Sequence, residues 1–311
     1  MNTDVSVVIP CYNKMRYVAA AIESALAQEY PVEVIVVDDG STDGSLDEIK
    51  RFDGRIRWVT GPNRGGSAAR NIGIGMSDST WIQFLDADDI LPTGKIMAQV
   101  AAMKGAPANA LAFCGWSLLH DDGKVEPPDS RQFWHEYPDG ISLLIEMWYD
   151  GGFFPPHVWL VPRSLIELAG TWDETLTGDD DGEFIGRMLA ASSELRFCCD
   201  INVMYRDPPE GSVSRDKSLK SARSFWRAFE SVSGHLLAQR TDEPTRKACL
   251  ARVRKTAYAW REVPEVVEKA AAWEKSSGLF DFSPTLPTKT RYLVGFFGLK
   301  RGLRLRRLLS G

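Results

Sequence analysis

The chain has 311 residues, with 37 Lys and Arg against 42 Asp and Glu and a formal net charge of −5. That length holds one large domain or two modest ones around a substantial core, and the acidic balance argues against a nucleic-acid binder working through bulk electrostatics. No apolar run reaches membrane-spanning length, Met1-Asn2-Thr3-Asp4 shows neither a basic nor an apolar leader segment, and the five cysteines form no CxxC pair; a cytoplasmic chain with reduced thiols is expected.

In chain order, Val5–Ile9 reads as a strand stopped by Pro10, and residues 14–28 as a helix ending before Pro31. Val32–Val37 is a second strand, followed by Asp38-Asp39-Gly40-Ser41-Thr42-Asp43-Gly44. Ser45–Phe52 reads as a short helix and Ile56–Thr60 as a third strand. Gly65-Gly66-Ser67 opens another helix running to about Met76, with Ser67 as its expected N-cap. Trp81–Leu85 is the next strand. Strands alternating with helices predict a mostly parallel sheet covered on both faces. Residues 111–215 are richer in aromatics, Pro and Gly, with Cys198-Cys199 read as strand residues. From about Ser218 the pattern is helical and charged. The last acid is Asp281, and Lys289, Arg291, Lys300, Arg301, Arg304, Arg306 and Arg307 follow among Leu, Phe and Val. Such a tail suits either an anionic membrane surface or packing on the protein with a solvated basic face.

The most informative segment is Trp81-Ile82-Gln83-Phe84-Leu85-Asp86-Ala87-Asp88-Asp89. Residues two apart on a strand point the same way, so Asp86 and Asp88 are expected to share a face. Adjacent carboxylates repel unless a positive group lies between them, and a hard divalent cation with oxygen ligands is the natural one. The alternative is a solvated acidic turn capping the next helix.

Ligands of open parallel sheets bind beyond the carboxyl ends of the strands. Three strands here end in Pro10-Cys11-Tyr12-Asn13, Asp38-Asp39-Gly40-Ser41 and Asp86-Ala87-Asp88-Asp89. Gly65-Gly66 adds a helix N-terminus, where amides and dipole favour an anion. Together with Arg70, these features read as a nucleotide-diphosphate site. A GxxxxGK[ST] phosphate loop is missing, and Gly73-Ile74-Gly75 lies late in a helix rather than directly after a strand, against a dinucleotide fingerprint.

Four motifs in order, VSVVIPCYN (Val5–Asn13), VIVVDDGSTDGS (Val34–Ser45), NRGGSAARNIG (Asn63–Gly73) and WIQFLDADDIL (Trp81–Leu91), closely resemble the family 2 glycosyltransferases with the GT-A fold. The resemblance implies a Rossmann-like, mixed and mostly parallel sheet flanked by helices, with a helical C-terminal extension. It divides the chain into a nucleotide-sugar-binding half (1–112), an acceptor-binding half (113–215) and a helical region with a basic tail (216–311). It implies that Pro10, Tyr12 and Asp39 hold base and ribose, that Arg70 faces the nucleotide, that Asp86 contacts the sugar nucleotide, and that Asp88 binds Mn²⁺ or Mg²⁺. Asp89 has a weaker claim, with helix capping as the alternative.

Further on, Gly170-Thr171-Trp172-Asp173-Glu174 and Thr177–Arg187 resemble the family's acceptor half, which carries an acidic pair with an arginine six residues beyond the second acid. Asp181 is the implied general base, with Asp180 supporting it. Three consecutive aspartates (Asp179–Asp181) leave the register open by one, and Glu183 competes. An inverting transfer needs a base to take the proton of the acceptor hydroxyl. Tyr205–Ser214 resembles the loop after the acceptor region, where Arg206 reaches either the diphosphate or a surface ion pair. His157 is read as structural, and Trp148, Tyr149, Trp159 and Trp172 chiefly as core.

The chain lacks the Gln-x-x-Arg-Trp signature of processive synthases. The resemblance therefore implies single transfer of a sugar from a nucleotide diphosphate sugar, with a UDP-sugar favoured, to a glycan or lipid-linked hydroxyl. The expected location is cytoplasmic, with the inner membrane face as a site of peripheral contact through the tail. A sugar nucleotidyltransferase and a catalytically silent glycan-binding protein on the same fold are the alternatives.

Overall fold

A computed structural model describes residues 3–127, 129–207, 216–279 and 286–308. The described chain forms two compact units, one built from Met1–Gly140, Phe154–Thr175 and Ala191–Glu210, the other from Ile141–Phe153, Leu176–Ala190 and Gly211–Gly311.

The first unit opens with β1 (Val5–Cys11), α1 (Val18–Leu26), β2 (Val32–Asp38), α2 (Ser45–Lys50), β3 (Arg57–Thr60), α3 (Gly66–Met76), β4 (Trp81–Phe84) and α4 (Lys95–Ala102). Next come β5 (Leu111–Leu119) and β6 (Val125–Glu126); α5 (Gly140–Asp150) then leads into the second unit. The chain returns through β7 (Leu160–Pro162) and α6 (Arg163–Ala169), passes through α7 (Asp180–Ala191), and comes back with β8 (Leu195–Arg206). The sheet runs β3-β2-β1-β4-β7-β5-β6, with β8 paired to β5. Pairs β1–β2, β1–β4, β2–β3 and β5–β8 are parallel, whereas β4–β7, β5–β6 and β5–β7 are antiparallel. This is the mixed, mostly parallel sheet expected. Its central strands are apolar on both faces because helices cover both, as the run Val7-Val8-Ile9 and the run Ile35-Val36-Val37, all buried, show.

Three local expectations need correction. Pro10 lies inside β1: β4 pairs only as far as Val8, so on that side no ladder bond needs the missing Pro10 N–H. The regular part of the first helix starts at Val18, after a turn in which the amides of Tyr17 and Val18 both donate to the Lys14 carbonyl. Gly65, not Ser67, is the N-cap of α3; Ser67 is buried within the first turn.

In the second unit, α8 (Leu219–Gln239), α9 (Glu243–Ala259), α10 (Pro264–Ser277), α11 (Thr288–Phe297) and α12 (Leu299–Leu308) follow one another. Ser218 caps α8 by accepting from the Ser221 amide, and Asp242 caps α9 by accepting from that of Thr245. Aromatic pairs Trp148–Phe229, Trp226–Phe229 and Phe229–Trp273 form the centre of this unit. The basic α12 packs on the protein through Leu299, Gly302 and Leu303, with Lys300 paired to Glu268 at 3.1 Å and Arg307 to Glu262 at 3.2 Å.

Candidate active site

The carboxyl ends of β1 and β2 sit side by side, Cys11 in register with Asp38, and β3 extends the row with Thr60 opposite Asp38. The loops that leave them are tied to one another. Asn13, at a left-handed φ of 52°, accepts the Thr42 amide at 2.8 Å, and its own amide donates to Ser41 Oγ at 3.0 Å. A left-handed Asn is tolerated because its short side chain bonds locally. Lys14 N–H donates to Ser45 Oγ at 2.7 Å, and Met15 N–H to Asp43 at 3.0 Å. Asp39 is buried and receives the amides of Arg64 and Gly65, each at 2.8 Å, so one carboxylate clamps the loop that opens α3. Gly40 makes the crossing feasible: a Cβ there would lie 2.9 Å from both Asn63 N and Gly61 O.

Beyond β4 the chain leaves the sheet at Leu85, so Asp86 and Asp88 occupy a turn rather than two positions on one strand face. That corrects the alternation argument, although the carboxylates still cluster. Arg70 donates to Asp86 at 2.7 Å and lies 4.4 Å from the centre of the Trp172 ring. Asp88 is ion-paired with Lys14 across 74 positions of sequence. Burial alone would lower the Lys14 ammonium, but Asp88, with Asp86 and Asp89 behind it, holds it above its ordinary value.

Asp89 caps no helix, since α4 starts at Lys95 after Gly94. It is buried, accepts the Arg206 amide at 2.7 Å, and lies 3.1 Å from His157 Nδ1. Burial, with Asp86 and Asp88 nearby, pushes Asp89 well above the usual carboxylate range, and burial drives His157 down to about 3 against the pull of Asp86. Arg206 makes the surface ion pair considered above, with the exposed Asp121 at 3.5 Å, and is anchored further: its Nε donates to the Asp88 carbonyl at 2.9 Å and its guanidinium lies 4.5 Å over Tyr17. Pro10 is half-buried at the end of β1, and Tyr12 is 46 % exposed beside the Asn13 turn. Of the expected residues, the first unit thus gathers Pro10, Tyr12, Asp39, Arg70, Asp86, Asp88 and Arg206 around one sheet edge.

Sequence reasoning missed Lys14 and Trp172 as partners of this cluster. Lys14 follows the Tyr12-Asn13 motif directly, and that placement was the available signal.

A hard cation such as Mg²⁺ takes one or two carboxylates plus phosphate oxygens rather than a full protein cage. Among the described residues, no three His, Cys, Asp or Glu side chains gather as a cage. The donors at hand are the oxygens of Asp88 and Asp86, and a positive group already sits on Asp88. The set therefore fits a cation that arrives with a diphosphate.

In the second unit, the aspartate run separates by environment. Asp179 has a left-handed φ of 57°, is ion-paired with Arg252, and accepts the Glu183 amide at 2.9 Å through its carbonyl. Burial raises its carboxyl, with Arg252 opposing. Glu183 receives Arg187 twice, at 2.7 and 2.9 Å, and Ser231 at 2.6 Å, so both of its oxygens are engaged by neighbouring side chains. Asp180 and Asp181 are the half-buried first residues of α7.

Across its whole length the fold matches GT-A glycosyltransferases. Residues 1–349 of Staphylococcus aureus TarS, solved with UDP-GlcNAc, superpose with a TM-score of 0.76 at 16 % identity over 99 % of this chain and 90 % of that one. The mannosyltransferase PcManGT of Pyrobaculum calidifontis, solved with GDP-Man and Mn²⁺, gives 0.55 at 16 % identity, covering 100 % and 88 %. The family model described as "Glycosyl transferase family 2" matches residues 6–168. The chain belongs to that family. The glycosyltransferase GlyG of Streptococcus pneumoniae is 40 % identical over 249 residues, 76 % of this chain and 82 % of that protein. An uncharacterized glycosyltransferase of Rickettsia felis is 42 % identical over 175 residues, 55 % of this chain but only 26 % of its own length.

Proposed function

We propose that this chain transfers one sugar from a nucleotide diphosphate sugar to a hydroxyl of a glycan or lipid-linked acceptor, with inversion, using Mn²⁺ or Mg²⁺. The observation that carries the reading is the convergence of the Asn13, Asp39, Gly65 and Asp86–Asp88 segments beyond one sheet edge. Tyr12, Pro10 and Asp39 hold base and ribose, and the N-terminus of α3 faces the diphosphate. Asp88 holds the divalent cation, with Asp86 and Arg70 on the sugar-nucleotide side. A divalent cation bound there stabilises the leaving diphosphate as a Lewis acid. Arg206, anchored on the Asp88 carbonyl, adds positive charge for phosphate.

Asp181 is the general base, with Asp180 beside it. The commitment of Asp179 to Arg252 and of Glu183 to Arg187 supports that register. No covalent enzyme intermediate is needed, because the base activates the acceptor oxygen directly. A UDP-sugar is the favoured donor; the neighbours solved with UDP-GlcNAc and with GDP-Man support a nucleotide-sugar donor in general. The exposed Arg301 and Arg304 of α12 supply a basic face for anionic lipid at the cytoplasmic side of a membrane. Equal flotation of the full chain and of Arg301→Gln/Arg304→Gln on anionic liposomes removes that part.

Thermal stabilisation by UDP, GDP, dTDP and their sugars, with and without Mn²⁺, tests the main reading, since a ligand of the native state raises its stability by mass action. A metal-dependent shift with one nucleotide, lost in Asp88→Asn, is expected. Folded protein that responds to none of them refutes the transferase reading.

A further inference from the structure

The Asp86–Asp89 turn concentrates three carboxylates, and the protein treats each differently. Asp86 is held by Arg70, which is itself fixed on Trp172 and only 7 % exposed. Asp89 is buried against His157 and the Arg206 amide. Asp88 has Lys14 as its ion-pair partner among the described residues, and what sets this pair apart is its cation: the Lys14 side chain is 30 % exposed against 7 % for Arg70, while Asp88 itself is 17 % exposed against 24 % for Asp86.

The two ends of Lys14 behave oppositely. Its backbone is pinned, the amide on Ser45 Oγ at 2.7 Å and the carbonyl receiving two amides at 2.9 Å. Its side chain is a compact ammonium on a flexible four-carbon stem, able to change partner without moving the loop. Arg70, stacked and buried, has no such freedom.

Resting on the proposed reading of the site, we propose that Lys14 is the chain's own counter-cation at Asp88, which yields the carboxylate to a divalent cation only when a nucleotide diphosphate offers the ammonium a new partner. A divalent cation arriving alone must displace Lys14 into a half-buried position beside like charge, where it has lost its carboxylate. Arriving with a diphosphate, it leaves Lys14 a phosphate oxygen to pair with. Lys14 thus couples metal and nucleotide binding, and such coupling is reciprocal. It is a positioning and selectivity residue.

The test is direct Mn²⁺ binding, followed by the electron paramagnetic resonance signal of free Mn²⁺, on the full chain with no nucleotide, with UDP and with GDP. Wild type, Lys14→Met, Lys14→Gln and Asp88→Asn are compared, each with its melting temperature. In both Lys14 variants, Mn²⁺ affinity without nucleotide is expected to rise about tenfold, and the enhancement by nucleotide to shrink by at least that factor. Unchanged or weaker Mn²⁺ binding in both variants, with binding lost in Asp88→Asn, overturns the role of Lys14 while leaving Asp88 as the metal ligand. Mn²⁺ binding that survives Asp88→Asn overturns the underlying reading of the site as well.

Discussion

Arg70 and Asp86 meet at 2.7 Å, and the same guanidinium lies over the Trp172 ring at 4.4 Å. One residue of α3 therefore joins the acidic turn to the segment that follows α6. The Asn71 side chain, next in sequence, brackets Trp172 through its amide and carbonyl at 3.0 and 2.9 Å. Phe84 packs edge-on against Trp172 at 5.2 Å between centroids, so the end of β4 shares the same anchor.

Removing the guanidinium strands a largely buried carboxylate. Arg70→Met is expected to cost about 2–3 kcal/mol in urea denaturation, below the figure for a fully buried pair because Asp86 is 24 % exposed. Arg70→Lys keeps the charge but not the planar contact with Trp172, and should recover less than half of the loss.

Asp39 acts on backbone rather than on side chains. Asp39→Ala deprives the amides of Arg64 and Gly65 of their acceptor and is expected to cost about 2 kcal/mol. Hydrogen exchange at those two amides should accelerate. Asp39→Asn, which keeps one acceptor oxygen, should show about half of each effect.

The acids of α7 are expected to split cleanly. Asp181→Asn should lower turnover by about 10²-fold or more while leaving the melting temperature in place. Glu183→Gln breaks a buried bidentate pair with Arg187 and should instead destabilise by about 3 kcal/mol. If the two variants exchange phenotypes, the base is Glu183.

A pH prediction comes from Lys95, fully buried and bonded to Gln83 Oε1. Burial lowers its ammonium to about 8, with Cys114 and Cys198 opposing, against 10.5 when exposed. Between those values the unfolded chain binds more protons, so this group's contribution rises with pH: it is fully present above 10.5 and lost as pH falls through 8. Near neutrality the buried ammonium costs about 3 kcal/mol. Lys95→Met should regain about 2 kcal/mol at pH 7, since Gln83 loses its partner. The advantage of the variant should fall from pH 8 to 10.5 and end with wild type the more stable by about 1 kcal/mol.

Much of the architecture was legible because strand and helix periods differ and the turn residues separate them. The order of β1 to β4, and the idea that their ends share one edge, came directly from apolar runs and Asp/Gly punctuation. Tertiary partners were less legible. Nothing local to Asp88 announces a lysine 74 residues earlier, and nothing near Arg70 announces Trp172. The alternation rule failed at Asp86 because pairing with β1 stops at Phe84, and without a ladder there are no faces to share. Ser67 was misjudged as a cap because Gly65, with φ of 96°, takes the non-helical conformation that starts α3. For the α7 acids, the resemblance, through the arginine six residues beyond, favoured Asp181 over its neighbours, and the ion pairs of Asp179 and Glu183 are consistent with that choice.

Gly73 lies one turn after Arg70 on the same side of α3, and a Cβ there would fall 2.3 Å from Val8 Cγ1 in β1. At this point the helix rests directly on the Val8 side chain of the strand, with no room for a Cβ between them. Any larger residue at 73 meets the Val8 side chain, so either Val8 or the helix that carries Arg70 must shift. The seat of the helix that aligns a charged pair in the crevice thus depends on the hydrogen atom that stands in place of a side chain at Gly73. A survey of variants that looked only at polar residues would overlook it.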